Sequence, residues 1–157
     1  STDKMTVWAG MTKLSDSVGA YMLSSSASPA ATNGSFAVLA PQDAGGNTAT
    51  FLAKGTTPFY QAFAFGLTSP VNFSLTGQAS LSDATNSIRI NGAIKLSTTS
   101  GSSGGNYGNY PLFIGALAGV GYFFNGRLYS LIVRGAQTPL SQIEATELYI
   151  KQKMRMP

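Results

Sequence analysis

The sequence predicts an all-β fold: an antiparallel two-sheet β-sandwich, of jelly-roll type, with a short C-terminal α-helix. Three observations predict it. Eight to twelve short β-branched or aromatic runs recur, separated by Gly, Asn, Asp and Ser clusters. Several of them alternate apolar and polar residues with a period of two. A single stretch with helical periodicity follows Pro139, at the very end.

Residues 5–11 alternate, with Met5, Val7, Ala9 and Met11 on one face, and form the first strand. Trp8 falls on the opposite face, where the sole tryptophan of a small domain is expected to be covered. A turn over 13–18 leads to a strand at 20–23, a loop at 24–34 and a strand at 35–39. The turn at 42–47 separates these from a strand at 48–53 that stops at Gly55. Residues 56–65 are rich in aromatics and fit more than one element, and Pro58 argues against a central strand there.

Residues 71–76 place Val71, Phe73 and Leu75 inward, and 79–81 either continue this strand or start its partner. Residues 87–90 and 93–96 flank Asn91–Gly92, the best local hairpin signal in the chain. A two-residue loop would pair Arg89 with Ile94 and send Ile94 away from the core. A bulged three-residue turn pairs Ile90 with Ile94 and Ile88 with Leu96 and points all four inward, and is the expected solution. Residues 97–110 form a long polar loop. Leu112, Phe113 and Ile114 make a short buried run. Residues 128–133 are apolar on both faces, as a strand inside a layered structure would be.

The final helix carries a stripe of Leu140, Ile143, Ile150 and Met154 and an i,i+4 pair of Glu147 with Lys151. Thr138–Pro139 and Ser141 with Glu144 are competing start signals.

The chain has 157 residues, which suits one domain over 1–157, read as excised from or forming the end of a longer protein. Charged residues are 10% of the chain, so its surface is mostly neutral and polar. The net charge of +4 reflects few acids rather than many bases. Lys151, Lys153 and Arg155 are the one local basic group, and they complement a helix C-terminus. Nucleic acid is therefore not expected as a partner. No apolar run is long enough for membrane insertion as a helix. The absence of cysteine and histidine removes thiolate chemistry, the commonest zinc ligands and the commonest general base.

In order, Ile88–Arg89–Ile90–Asn91–Gly92, Leu112–Phe113–Ile114–Gly115, the run FNGRLYSLIVRG from Phe124, and a closing helix that ends in Tyr149–Ile150–Lys151–Gln152–Lys153 resemble the concanavalin A-like (laminin G-like) lectin/glucanase superfamily. The resemblance covers about residues 86–154, and the run is also similar to C-terminal domains of phage and prophage tail or fibre proteins. It implies a concanavalin A-like jelly roll that binds glycan, protein or calcium, or hydrolyses glucan, in a virion (phage tail or surface) setting.

The hydrolytic signature of that superfamily, Glu-x-Asp-x-x-Glu, is absent. Only six acids are present, with Glu144 and Glu147 one turn apart on the helix and expected to be solvated. Paired carboxylates straddling a glycosidic bond are thus not in evidence, and the chain is expected not to be an enzyme. The calcium cluster of the lectins is missing too. Asp43 with Asn47 is the best remaining Ca2+ candidate, against the simpler reading of a turn held by its own side chain.

The expected function is a non-catalytic module that contacts a cell-surface glycan or polysaccharide. Sugar sites combine flat aromatic faces with amide donors. Asn106, Tyr107, Asn109 and Tyr110 supply both in one loop, and Tyr122 and Phe123 add two rings in the next turn. The two sets are expected to share a rim. The alternative is assembly or decoration in a virion, as a homotrimer or with other virion proteins, using the aromatic segment at 56–65 as an interface.

Overall fold

The computed structural model describes residues 2–56, 59–99 and 104–156, leaving out the side chains of 59–61 and 98–99. Ten strands and one helix form in the order β1 (Lys4–Lys13), β2 (Tyr21–Ser25), β3 (Ser35–Leu39), β4 (Ala49–Lys54), β5 (Phe59–Ala64), β6 (Val71–Ser80), β7 (Thr85–Ile90), β8 (Ala93–Thr99), β9 (Leu112–Ile114), β10 (Gly126–Arg134) and α1 (Leu140–Met154). They make two five-stranded antiparallel sheets, ordered β10-β1-β6-β7-β8 and β5-β4-β3-β2-β9. The chain is a two-sheet jelly-roll sandwich with one C-terminal helix.

The period-two signals place the core. Met5, Val7, Ala9 and Met11 of β1 and Phe73 and Leu75 of β6 are buried between the sheets, opposite Phe36, Val38 and Phe51. The two sheets meet closely at Gly77. It sits between Val7 of β1 and Ile88 of β7 in adjacent registers. The Phe51 ring of β4 fills the space where its side chain would be.

Both faces of the first sheet are used. α1 crosses its outer face, packing Ile143, Ile150 and Met154 on Trp8, with Ile132 beside them. Gly10 makes this possible, because a Cβ there would lie 2.7 Å from both Ile150 Cγ2 and Met154 Sδ. Trp8 is thus covered by the helix.

Five expectations are corrected. The hairpin does turn in two residues: Asn91 (φ 52°) and Gly92 (φ 86°) are both left-handed, as a type I′ turn requires. Ile90 pairs with Ala93 and Arg89 with Ile94, and a bulge then restores Ile88 opposite Leu96. The extra residue, Lys95, follows two regular pairs, so Ile94 stays on the Arg89 face, points away from the core and is 59% exposed. Second, 112–114 is an exposed edge strand rather than a buried run. Third, β10 is also an edge. Its apolar character on both faces has another cause: Leu128 and Leu131 face the core, and Ile132 faces the helix.

Fourth, the helix stripe is Ile143, Glu147, Ile150 and Met154, while Leu140 at the first turn is exposed. Glu147 is only 4% exposed. It can enter the interface because Arg89 Nε and Thr76 Oγ1 both donate to its Oε1 at 2.8 Å, and Arg89 Nη2 reaches Oε2 at 3.1 Å. That pairing replaces the expected Glu147–Lys151 pair. Fifth, neither start signal caps the helix. Pro139 holds the N-cap position without a side-chain bond, and Thr138 donates to Thr6 Oγ1 instead.

The aromatic segment at 56–65 supplies edge strand β5. The proposed interface role of Phe59 and Tyr60 rests on side chains that are left out, while Phe63 and Phe65 stack with centroids 6.2 Å apart. The long polar loop is shortened by β8, and its part at 100–103 also lies outside them.

A Gly77→Ala variant is expected to lose about 1–3 kcal/mol in urea unfolding, since a methyl group must displace the Phe51 ring from a filled core. An Ile94→Thr variant changes stability by under about 0.5 kcal/mol, as its exposure requires.

Candidate functional site

The aromatic loops do not share a rim. Ser26 N–H donates to Pro111 O at one end of β2, while Tyr21 N–H donates to Tyr122 O at the other. Five residue steps separate these two bonds, about 16 Å at the rise of an extended chain.

The loop holding Asn106, Tyr107, Asn109 and Tyr110 is sewn to the sandwich by its backbone. Tyr107 N–H donates to Thr2 O at 2.7 Å, and Gly108 N–H to Gly34 O at 2.9 Å. Tyr107 is not a surface ring. It is 6% exposed and meets Phe36 edge-on at 5.8 Å. Burial raises its hydroxyl pKa well above the ordinary value, and no described group accepts its proton. Tyr110 lies across Gly108 and donates its hydroxyl to Asn33 O at 2.8 Å. Asn106 and Asn109 are exposed beside it. These four residues have structural explanations or stand without a hollow.

The other set differs. Tyr122 and Phe123 are each 61% exposed. With Val18, Gly19 and Gly121 they line a hollow of ≈ 340 Å³ whose surface is almost wholly apolar. Tyr21, at the start of β2, meets Tyr122 edge-on at 6.0 Å. Burial, with Tyr122 adding to it, pushes the Tyr21 hydroxyl pKa up and keeps it neutral. Val120, at 82% exposure, projects beside the rings.

Local sequence explains the geometry. Leu117 and Gly121 close a tight turn, with Ala118 (φ 52°) and Gly119 (φ 74°) both left-handed. Tyr122 is also left-handed at φ 50°. A non-glycine residue there costs about 1–2 kcal/mol. A strained tyrosine that is also exposed gains little for the fold. Such outliers cluster at ligand sites.

The facing wall is pinned from below. The Lys13 ammonium is fully buried and pairs with Asp16 Oδ1 at 2.5 Å. Ser69 donates its backbone N–H to Asp16 Oδ2 at 2.8 Å and its hydroxyl to Oδ1 at 3.0 Å. Asp16 O accepts from Gly45 N–H at 2.6 Å. Gly19 lies so close to Gln42 O that a side chain would overlap it. The loop bearing Val18 is therefore held by charge and backbone contacts, and the hollow is preformed.

Asp43 and Asn47 are both exposed, and their carbonyls accept from Gly46 and Leu67 N–H. The 42–47 turn is thus closed by the main chain, and not by an Asp side chain. Among the described residues no three Asp, Glu, His or Cys form a group able to hold a metal ion. A smaller hollow of ≈ 180 Å³ lies between the hairpin turn and α1, lined by Arg89, Gly92, Glu144, Glu147, Leu148 and Lys151. Its Glu147 carboxylate is committed to Arg89 and Thr76, which corrects the expectation of a solvated residue.

Little in the sequence marks the Val18–Gly19 wall. The one signal was indirect: Lys13 and Asp16 stand three residues apart, with an otherwise exposed apolar residue just after them.

No family model and no curated protein matches the chain. Solved structures do. The CBM40 module of the Ruminococcus gnavus IT-sialidase, bound to α2,3-sialyllactose, superposes with a TM-score of 0.71 at 11% identity, covering 94% of this chain and 84% of that one. The binding domain of botulinum neurotoxin serotype D gives 0.71 at 9% identity, covering 94% and 36%. The NanB sialidase of Streptococcus pneumoniae gives 0.69 at 14%, covering 92% and 24%. The chain therefore spans most of the CBM40 module but about a third or less of the other two. At these identities the likeness is one of fold: a two-sheet β-sandwich.

Stability should report the Lys13–Asp16 clamp. Burial pushes the Asp16 carboxyl up, but Lys13 and the two Ser69 bonds outweigh it and hold its pKa below the usual 3.8. A group depressed on folding stabilises fully above its unfolded pKa, and that contribution is lost as pH falls through the folded value. Denaturation at pH 7 and pH 3 is expected to show wild type losing more stability than Asp16→Asn, which starts lower and varies less.

Proposed function

We propose that this chain is a non-catalytic glycan-binding module that holds a neutral portion of a cell-surface glycan or polysaccharide against Tyr122 and Phe123. The observation that carries this reading is the pair of exposed rings around a preformed apolar hollow, one of them on a strained backbone. Sugars present C–H faces to such rings, and pockets of roughly 300–1,000 Å³ are usual for small ligands. The fold likeness to a carbohydrate-binding module crystallised with sialyllactose supports it. The similarity of the run from Phe124 to phage tail and fibre domains supports a virion surface as its setting.

A second reading is assembly with virion proteins or in a homotrimer. Its specific support is edge strand β9, where Leu112 and Ile114 are exposed beside an unpaired strand edge.

A glycan array separates them. Wild type is expected to bind at least one glycan. Tyr122→Gly and Phe123→Ala are expected to reduce that binding at least about tenfold. For Tyr122→Gly, relief of about 1–2 kcal/mol of strain offsets the lost Tyr21 contact of about 0.5–1.5 kcal/mol, so the fold is retained. A silent array with a stable oligomer that Ile114→Lys dissociates would instead establish assembly.

A further inference from the structure

We infer that the hollow beside Tyr122 and Phe123 selects a 6-deoxyhexose, a sugar whose C6 is a methyl group instead of a hydroxymethyl group. This rests on the glycan-binding reading and names the sugar class within it.

Hydrogen-bonding side chains are almost absent from the hollow. The lining residues are Val18, Gly19, Gly121, Tyr122 and Phe123. None carries a charge or an amide side chain, and the only side-chain hydroxyl is that of Tyr122. The surface of the hollow is almost wholly apolar, and three backbone groups on its Gly121–Tyr122 side are already bonded. Gly121 N–H donates to Leu117 O, Leu117 N–H donates to Gly121 O at 2.8 Å, and Tyr122 O accepts from Tyr21 at 2.9 Å. A hydroxyl pressed against this apolar surface gives up water for little in return, which is unfavourable. A methyl group loses nothing and gains apolar contact.

The same test excludes commoner sugar substituents from the hollow. An acetamido group would bury an N–H and a carbonyl without partners. A carboxylate would need a cation. Lys13, the ammonium that anchors this loop, is fully buried and already paired with Asp16. Among substituents on the sugar ring, a C-methyl group needs no polar partner. The ring carrying it can lie on Tyr122 or Phe123 and leave its hydroxyls in water.

Gly121 offers a clean probe. A Cβ built there meets nothing within 4 Å, and its backbone is not left-handed. Gly121→Val therefore adds apolar bulk at the wall of the hollow where its Cβ meets no atom of the fold, and circular dichroism and thermal unfolding verify that the fold is kept.

The experiment is competition calorimetry with methyl glycosides that differ only at C6: L-fucoside against L-galactoside, and L-rhamnoside against L-mannoside. The glycan array on the same protein identifies a reporter glycan. The 6-deoxy member of at least one pair is expected to bind about tenfold or more tightly, with the preference abolished in Gly121→Val. Equal binding within both pairs, or a preference for the hydroxymethyl sugar, overturns the inference and leaves glycan binding standing. Preference that persists in Gly121→Val overturns it too, because the selecting site then lies elsewhere. Silence of wild type toward every glycan overturns both this inference and the reading beneath it.

Discussion

The contact of Phe51 with Gly77 sets the spacing of the two sheets, and the rest of the structure follows from it. Gly77 removes one side chain from the middle of the first sheet, leaving a slot between Val7 and Ile88. Phe51 of the second sheet fills that slot. The same strand is tied across the sandwich where Asn86 Nδ2 donates to Phe51 O at 3.2 Å. A ring seated over a glycine fixes how close the sheets come and how they are aligned. The loops at either end then have little freedom in where they emerge. Gly10 plays a matching part outside, where it lets α1 descend onto Trp8 and seal the outer face of the first sheet.

At one end of this frame, stability and exposure are divided between two loops. The loop after β1 is tied down by a buried charge pair, two serine bonds and close backbone contacts. The loop before β10 carries left-handed backbone at Ala118 and Tyr122 and places Val120, Tyr122 and Phe123 in solvent. Apolar surface left in water and backbone held in strain both oppose folding. A wall held in place opposite them turns that cost into a shaped, apolar hollow, which a ligand with an apolar face can fill. The other end has a different character. There Tyr107 is a core residue and Tyr110 latches its own loop.

The fold was legible because strand alternation is local. Met5 to Met11 and Val71 to Leu75 show their buried face directly, and the helix stripe shows Ile143, Ile150 and Met154. What was not legible depends on partners distant in sequence. Apolar residues on both faces of 128–133 look the same whether a second sheet or a helix covers the outer face. Leu112 and Ile114 look like core residues until the sheet order leaves them at an edge. Glu147 looks solvated until Arg89 and Thr76, 58 and 71 residues away, are brought beneath it. Half of the site was visible, since Tyr122 and Phe123 stand next to turn glycines. Tyr107 was misplaced because a polar loop gives no sign that one of its rings turns inward. The Val18 wall was missed because its contribution comes from the Lys13–Asp16 anchor, not from its own chemistry.

The central claim is that ligand enters between Val18–Gly19 and Gly121–Phe123. The most direct test is a titration of isotope-labelled protein with an array-identified glycan, followed by amide and aromatic NMR shifts. The account predicts changes confined to Val18, Gly19, Tyr21 and residues 119–123. Shifts centred on Asn106, Asn109 and Tyr110, or on the Arg89–Lys151 hollow, would contradict it.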